Sequence, residues 1–257
     1  MNAPTNRTDW TPADSPTTND KRAVDGRTLI SHFGNGQMGF LLAEHLSFCT
    51  VADRVILLDV LRDRYFCLGA DAERAFLNLT TYRELSPADV AALERLTLDG
   101  ILRHHDGLVV PEPCKPPAVA VNSLLEIRGR PRPLIVATAL FGLALTSAFI
   151  KYRGLASALH DLARRPAEHK AKVPKVDAAE TALAFHRAAL FAAPLDQCLV
   201  RSIAVARALM SGGFRPKLVI GVRLQPFGAH SWVQIEDVLV NDRHDLVRDY
   251  TPILVAQ

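Results

Sequence analysis

Residues 198–242 read CLVRSIAVARALMSGGFRPKLVIGVRLQPFGAHSWVQIEDVLVND, and the order of elements in this stretch decides the fold. The helical segment LDQCLVRSIAVARALMSGG (195–213) is closed by Gly212-Gly213. Three strand-like runs follow, PKLVIGVRL, HSWVQIE and VLVND. A helix laid on an antiparallel sheet is an α+β arrangement. Asp196 is a suitable N-cap, which puts Cys198 in the first turn of its helix. There the free amides and the positive end of the macrodipole favour thiolate over thiol. The Cys198 amide is also placed to donate to an oxyanion.

His230 opens one strand of this reading and Asp242 closes the next, with a turn near Glu236-Asp237. Taken about residue 236 the two are equidistant, so they are expected on one side of the sheet, about 5 Å apart at Cβ. Asp242 would then accept the Nδ1 proton of His230, and the other ring nitrogen would face Cys198. Each residue alone has a blander reading. A lone cysteine is more often a small buried hydrophobe, His230 an edge-strand residue, and Asp242 a turn former after Asn241. The joint pattern is what points to nucleophilic chemistry.

Working outward, AAETALAFHRAALF reads as a further helix. Before it, PLIVATALFGLALTSAFI (133–150) carries no charge and is flanked by Arg130, Arg132, Lys151 and Arg153. By length it could span a membrane. Its Gly142, Thr138, Thr146 and Ser147, with cations on both sides, favour a central helix buried on all sides by its own domain. GLASALHDLARR follows as an amphipathic helix, and AEHKAKVPKV as a basic surface loop.

The N-terminal half reads as strands, then helices. LAEHLSFCTV and RVILLDV are joined by a turn at Ala52-Asp53-Arg54, and LRDRYFCLG makes a third strand. In it Tyr65 and Cys67 share one face, Phe66 and Leu68 the other. DAERAFLNLTTYREL is helical through Ala72, Ala75, Phe76 and Leu79, and Ser86-Pro87 starts a helix with Val90, Leu93 and Leu96 on its apolar side. GLVVPEP closes the unit as a short wing, giving a small winged-helix-like domain of three strands followed by helices. Gly34, Gly36 and Gly39 match G-x-G-x-x-G in spacing, but a polar tail precedes them, so they read as a flexible lead-in to the first strand.

The 257 residues are 49% hydrophobic and 22% charged with a net charge of +3, which argues against disordered and nucleic-acid-binding classes. Cys49, Cys67, Cys114 and Cys198 lie far apart with no CxxC pair, so neither a zinc site nor a disulfide framework is expected. Residues 1–27 are polar and read as a disordered tail without a signal sequence.

The 198–242 segment resembles the C-terminal signature of lasso-peptide B proteins, leader peptidases with a transglutaminase-like, papain-like cysteine protease fold. The matching pieces are Cys198-Leu199-Val200-Arg201-Ser202, Gly221-Val222-Arg223, Ala229-His230-Ser231-Trp232-Val233 and Val240-Asn241-Asp242. Ser231 stands where the family often has Ala, a departure expected to leave the chemistry unchanged. On this resemblance the catalytic residues are Cys198, His230 and Asp242, with Gln197 a candidate second oxyanion donor and no metal. The strand pattern from Asp53 to Asp59 and from Tyr65 to Leu68 resembles the precursor-recognition element fused to such peptidases.

That likeness implies a leader peptide added as a strand along Arg64, Tyr65, Phe66, Cys67 and Leu68, beside Leu93, Leu96 and Ile101. It divides the chain into a tail (1–27), a leader-recognition domain (28–113) and a cysteine protease domain (114–257), helical in its first half with its catalytic core at 178–257. The implied activity is hydrolysis of the leader–core amide in the cytoplasm. The implied partners are the precursor peptide and an asparagine-synthetase-like lasso cyclase that uses ATP; this chain would bind no cofactor and no nucleic acid. Three other readings stay open: an acyl transferase with the same three residues, a non-catalytic precursor-binding scaffold, and a membrane protein anchored by 133–150.

Overall fold

The computed structural model describes residues 38–127, 129–164, 177–191 and 198–257. The expected tail, Gly34 and Gly36, the AEHKAKVPKV loop, Asp196 and Gln197 lie outside the described residues. The N-terminal part runs β1 (Met38–Leu42), β2 (Leu46–Val51), β3 (Arg54–Asp59), β4 (Arg64–Cys67), α1 (Ala70–Thr80), α2 (Pro87–Leu98) and β5 (Leu102–Asp106). β2, β3 and β4 form an antiparallel sheet with β3 in the centre. The β2–β3 link is tight, with Ala52 and Asp53 both at positive φ (47° and 64°), the left-handed pair that matches strand twist.

β3 has no polar face. Val55 and Leu57 pack with Phe48, Phe76 and Leu93 beneath the helices. Ile56 and Leu58 instead join Ile220, Val222 and Ile253 of the C-terminal sheet. An unbroken apolar run is what a strand covered on both sides requires, and it makes β3 a wall shared by two cores. The β4 alternation follows: Phe66 and Leu68 turn to the helical side, Tyr65 and Cys67 to the C-terminal sheet.

Two boundaries differ from expectation. LAEHLSFCTV is broken between β1 and β2, so four strands precede the helices. The wing is not GLVVPEP but the antiparallel pair β1–β5, with Phe40 opposite His104. LRHHD buries only Leu102 and shows no strand-like side-chain pattern. Backbone pairing to β1, whose Phe40 fills the helical core, makes it a strand.

The C-terminal part contains β6 (Asn122–Ser123), α3 (Pro133–Arg164), α4 (Ala178–Ala189), α5 (Cys198–Ser211), β7 (Lys217–Leu224), β8 (Phe227–Ile235), β9 (Val238–Leu239), α6 (His244–Val247) and β10 (Thr251–Ala256). The sheet order is β10-β7-β8-β9-β6, with β6 parallel to β9 and the other pairs antiparallel. α3, α4 and α5 share a core with one face of this sheet through Leu143, Leu155, Phe185, Ile203, Leu209 and Val233. Gly154, at φ 77°, breaks α3 into two helical segments.

The expectation that 133–150 is buried on all sides is overturned. Ala139, Leu143 and Thr146 are buried, whereas Leu134, Phe141, Leu145 and Tyr152 are exposed. α4 and α5 cover one side of the helix and nothing among the described residues covers the other. α3 is also long and apolar enough to cross a membrane.

α2 starts on a complete capping box: Ser86 Oγ accepts from the Asp89 amide at 3.1 Å, and Asp89 Oδ2 accepts from the Ser86 amide at 3.0 Å. Ser86→Ala is expected to lower stability by about 1 kcal/mol, read as a lower urea midpoint at unchanged m-value.

Candidate active site

Cys198 is the first residue of α5, so its side chain sits where the helix's free amides gather. At the far end Gly213 takes φ 94°, a left-handed conformation that lets Phe214 N–H reach back to the Leu209 carbonyl and turns the chain into β7. β7 and β8 pair with Gly221 opposite His230. A Cβ on Gly221 would lie 2.8 Å from the Trp232 ring, so only glycine leaves room for that indole. The His230 imidazole rests between Trp232 (6.4 Å, stacked) and Tyr250 (5.3 Å). β8 begins at Phe227, so His230 lies inside its strand and does not open it.

The structure brings Cys198, His230 and Asp242 together, by a route that differs from the mirrored hairpin. β8 and β9 pair Gln234 with Leu239 and Ile235 with Val238, so the turn centres between residues 236 and 237 and the register is one residue off. Beyond them only half of the next pair forms: Val240 N–H donates to the Val233 carbonyl at 2.9 Å, but Val233 N–H donates to the Asn241 side-chain oxygen at 2.7 Å instead of to a backbone carbonyl. Asp242 then turns its carboxylate to His230, 2.5 Å from Oδ2 to Nε2. The carboxylate therefore takes Nε2, not the expected Nδ1, and leaves Nδ1 as the ring nitrogen free for the thiol. Asp242 Oδ1 accepts from the Arg243 amide at 2.8 Å, and Arg201 Nη2 lies 3.7 Å from Oδ2.

A buried polar knot fixes these three positions relative to one another. Ser202, one turn beyond Cys198, donates to the Ser231 carbonyl at 2.8 Å and accepts from Asn241 Nδ2 at 2.9 Å. Ser231 follows His230 in sequence and Asn241 precedes Asp242. All three members of the knot are at most 2% exposed. Ser123 adds a third tie by donating to the Asp242 carbonyl at 2.6 Å.

The four thiols, all free, divide by environment. Burial pushes Cys49 up to about 12, and burial likewise raises Cys67 and Cys114. Cys198 goes the other way. Burial would raise it, but hydrogen bonding from His230 and Ser231 and the imidazole charge together bring its thiol below the ordinary value. His230 shows the reciprocal effect: burial opposes its charge, yet Asp242 and Cys198 raise it to about 9. Each group thus favours the charged form of the other, thiolate on Cys198 and imidazolium on His230. His186 on α4 stays below its usual value through burial and the nearby Arg201 and Arg243 cations.

Other site residues fall into place unevenly. Asp196 and Gln197 are outside the described residues. Arg64 is exposed with its guanidinium 5.4 Å from the Phe66 ring centre, while Leu68 follows β4 and is buried. Leu93 and Leu96 are core residues, and His244, Asp245 and Asp249 are surface residues. Among the described residues no three His, Cys, Asp or Glu side chains converge as a metal site. Sequence reading missed Ser202, Asn241 and Arg201, and it dismissed Ser231, which touches the sulfur. Small polar residues placed one turn or one position from three candidate residues were the available signal.

Two outcomes check this geometry. Ser231→Ala is expected to raise the thiolate titration midpoint of Cys198, followed by ultraviolet absorbance; an unchanged midpoint would show that the hydroxyl is idle. Ser202→Ala leaves the Asn241 amide without its partner and is expected to cost about 1–3 kcal/mol in urea unfolding.

Residues 139–255 match the transglutaminase-like superfamily. Over 47 residues the chain is 49% identical to the Microcin J25-processing protein McjB of Escherichia coli, a stretch covering 18% of this chain and 23% of that relative. No solved structure matches the chain. The segment that holds Cys198, His230 and Asp242 is thus a transglutaminase-like domain.

Proposed function

We propose that this protein is the leader peptidase of a lasso-peptide pathway, using Cys198 as nucleophile, His230 as acid–base and Asp242 as the residue that orients it. The observation that carries this reading is the contrast among the thiols: three are raised by their surroundings, and the one lowered starts a helix beside a carboxylate-held imidazole. The likeness to the microcin J25-processing protein supplies the substrate class.

In this reading the Cys198 sulfur attacks the carbonyl carbon at the leader–core junction. The developing oxyanion is met by the Cys198 amide, with Gln197 as the second donor. The His230 imidazolium passes its proton to the departing amide nitrogen, which releases the core with a free amine and leaves the leader as a thioester on sulfur. Neutral His230 then takes a proton from water, hydroxide adds to the thioester, and the leader leaves as a carboxylic acid while Cys198 is restored. Asp242 stays hydrogen-bonded throughout and keeps Nδ1 turned to the sulfur.

The recognition half of the reading rests on β4. Its outer edge has no partner strand among the described residues, so the backbone of Arg64 to Cys67 is open to pairing with an extended peptide. A leader held there raises the local concentration of the junction at Cys198 to about the millimolar range. The freed core passes to an ATP-using, asparagine-synthetase-like cyclase, and the protein works in the cytoplasm, where the ribosomal precursor is made.

The test is incubation with a leader–core precursor, with and without the cyclase, read by mass spectrometry. The expected products are leader plus one water and intact core, both absent with Cys198→Ala; transfer of the leader to an added amine would mark an acyl transferase instead. kcat/KM is expected to fall as pH rises through about 9, where His230 loses the proton that the leaving amine needs. Asp242→Asn removes the charge that raises His230, so the alkaline limb should move to lower pH with a loss on the order of 10²–10⁴-fold.

A further inference from the structure

The geometry points to a second role for the β4 strand: Tyr65, with Phe227, forms an apolar subsite that receives the side chain on the leader side of the scissile bond. This inference rests on the peptidase reading and names the residues that would set its selectivity.

Strand alternation turns Tyr65 away from the helices of its own half and toward the C-terminal sheet. It packs on the cluster of Ile56, Leu58, Ile220 and Val222, and Leu199, the neighbour of Cys198, packs on the same cluster. The Tyr65 ring meets Phe227 edge-on, 5.8 Å between centres at 62°. Phe227 opens β8 three residues before His230 and is 45% exposed, so one side of its ring remains uncovered. The strand whose outer edge is unpaired among the described residues thus carries an aromatic side chain on the same cluster as Leu199 of α5. Electrostatics agrees: burial first, then the charges of Asp63 and Cys198, raise the Tyr65 phenol. The phenol thus lies within electrostatic reach of the sulfur.

Two aromatic rings in contact, one of them within electrostatic reach of the nucleophile, favour an apolar occupant. A charged side chain placed there would lose water without gaining a partner. A peptide paired to β4 would reach this wall directly, because Tyr65 belongs to both surfaces. If Tyr65 only glued the two halves together, its loss would slow every substrate alike. A wall at the junction makes the loss depend on the junction residue.

The experiment uses the full chain and synthetic leader–core peptides whose last leader residue is Ala, Leu, Phe or Glu. Wild type should prefer Leu or Phe over Glu by about tenfold or more in kcat/KM. Tyr65→Ala and, independently, the more exposed Phe227→Ala should compress that preference to within about threefold, while Tyr65→Phe, which retains the ring, should keep it. The same series is measured for equilibrium binding in a Cys198→Ala background, which reads the wall without cleavage. An undiminished preference in both Tyr65→Ala and Phe227→Ala, or no preference in wild-type binding, overturns the subsite. A binding preference that the two variants abolish, with no cleavage of any peptide by wild type, upholds the subsite and sinks the peptidase reading alone.

Discussion

The hydroxyl of Ser202 is the constraint on which the rest depends. It donates to the Ser231 carbonyl and accepts from the Asn241 amide, and so ties a helix, a strand and the segment after β9 through one buried oxygen. Each partner adjoins one candidate catalytic residue, so a shift in any element would leave a buried polar group unpaired. That penalty is large enough to hold register where hydrophobic packing alone would tolerate sliding. Asn241 does double duty, since its oxygen also takes the Val233 N–H in place of a backbone carbonyl, next to the Asp242 carboxylate that reaches His230.

A second constraint acts between the two halves of the chain. β3 buries both faces, one under α1 and α2 and the other against β7 and β10, so the N-terminal sheet is part of the C-terminal domain's packing. Ser47 adds a hydrogen bond from its hydroxyl to the Ile253 carbonyl, and the Cys114 amide donates to Phe48. These contacts fix β4 relative to α5 and bring Tyr65 into the neighbourhood of Cys198. Exposed α3 surface remains on the opposite account: Phe141 and Leu145 are turned outward from the same helix whose Leu143 fills the core.

Much of this was legible because local chemistry and tertiary role coincide. Ser86 caps a helix wherever Pro87 and Asp89 follow it, and the apolar run of β3 announces a strand with two covered faces. Cys198 was legible as the first residue of its helix, although its lowered thiol depends on the His230 and Ser231 that tertiary packing brings against it. The failures share the opposite cause. β5 is a strand by virtue of its partner β1, and LRHHD carries no trace of that partner. Glu236 and Asp237 look alike to a turn rule, so the sequence does not separate a turn centred on 236 from one centred between 236 and 237. A serine for alanine exchange at 231 looks silent in sequence, because its effect needs the sulfur packed against it.

The central claim is that Cys198 and His230 exist as an ion pair held by Asp242. Nuclear magnetic resonance of the ring nitrogens and carbons of His230, titrated before and after capping Cys198 as a mixed disulfide, tests it most directly. The account predicts an imidazolium that persists to about pH 9 and deprotonates at lower pH once the sulfur is capped. An imidazole that titrates at its ordinary value of 6.5 with and without the cap would contradict it.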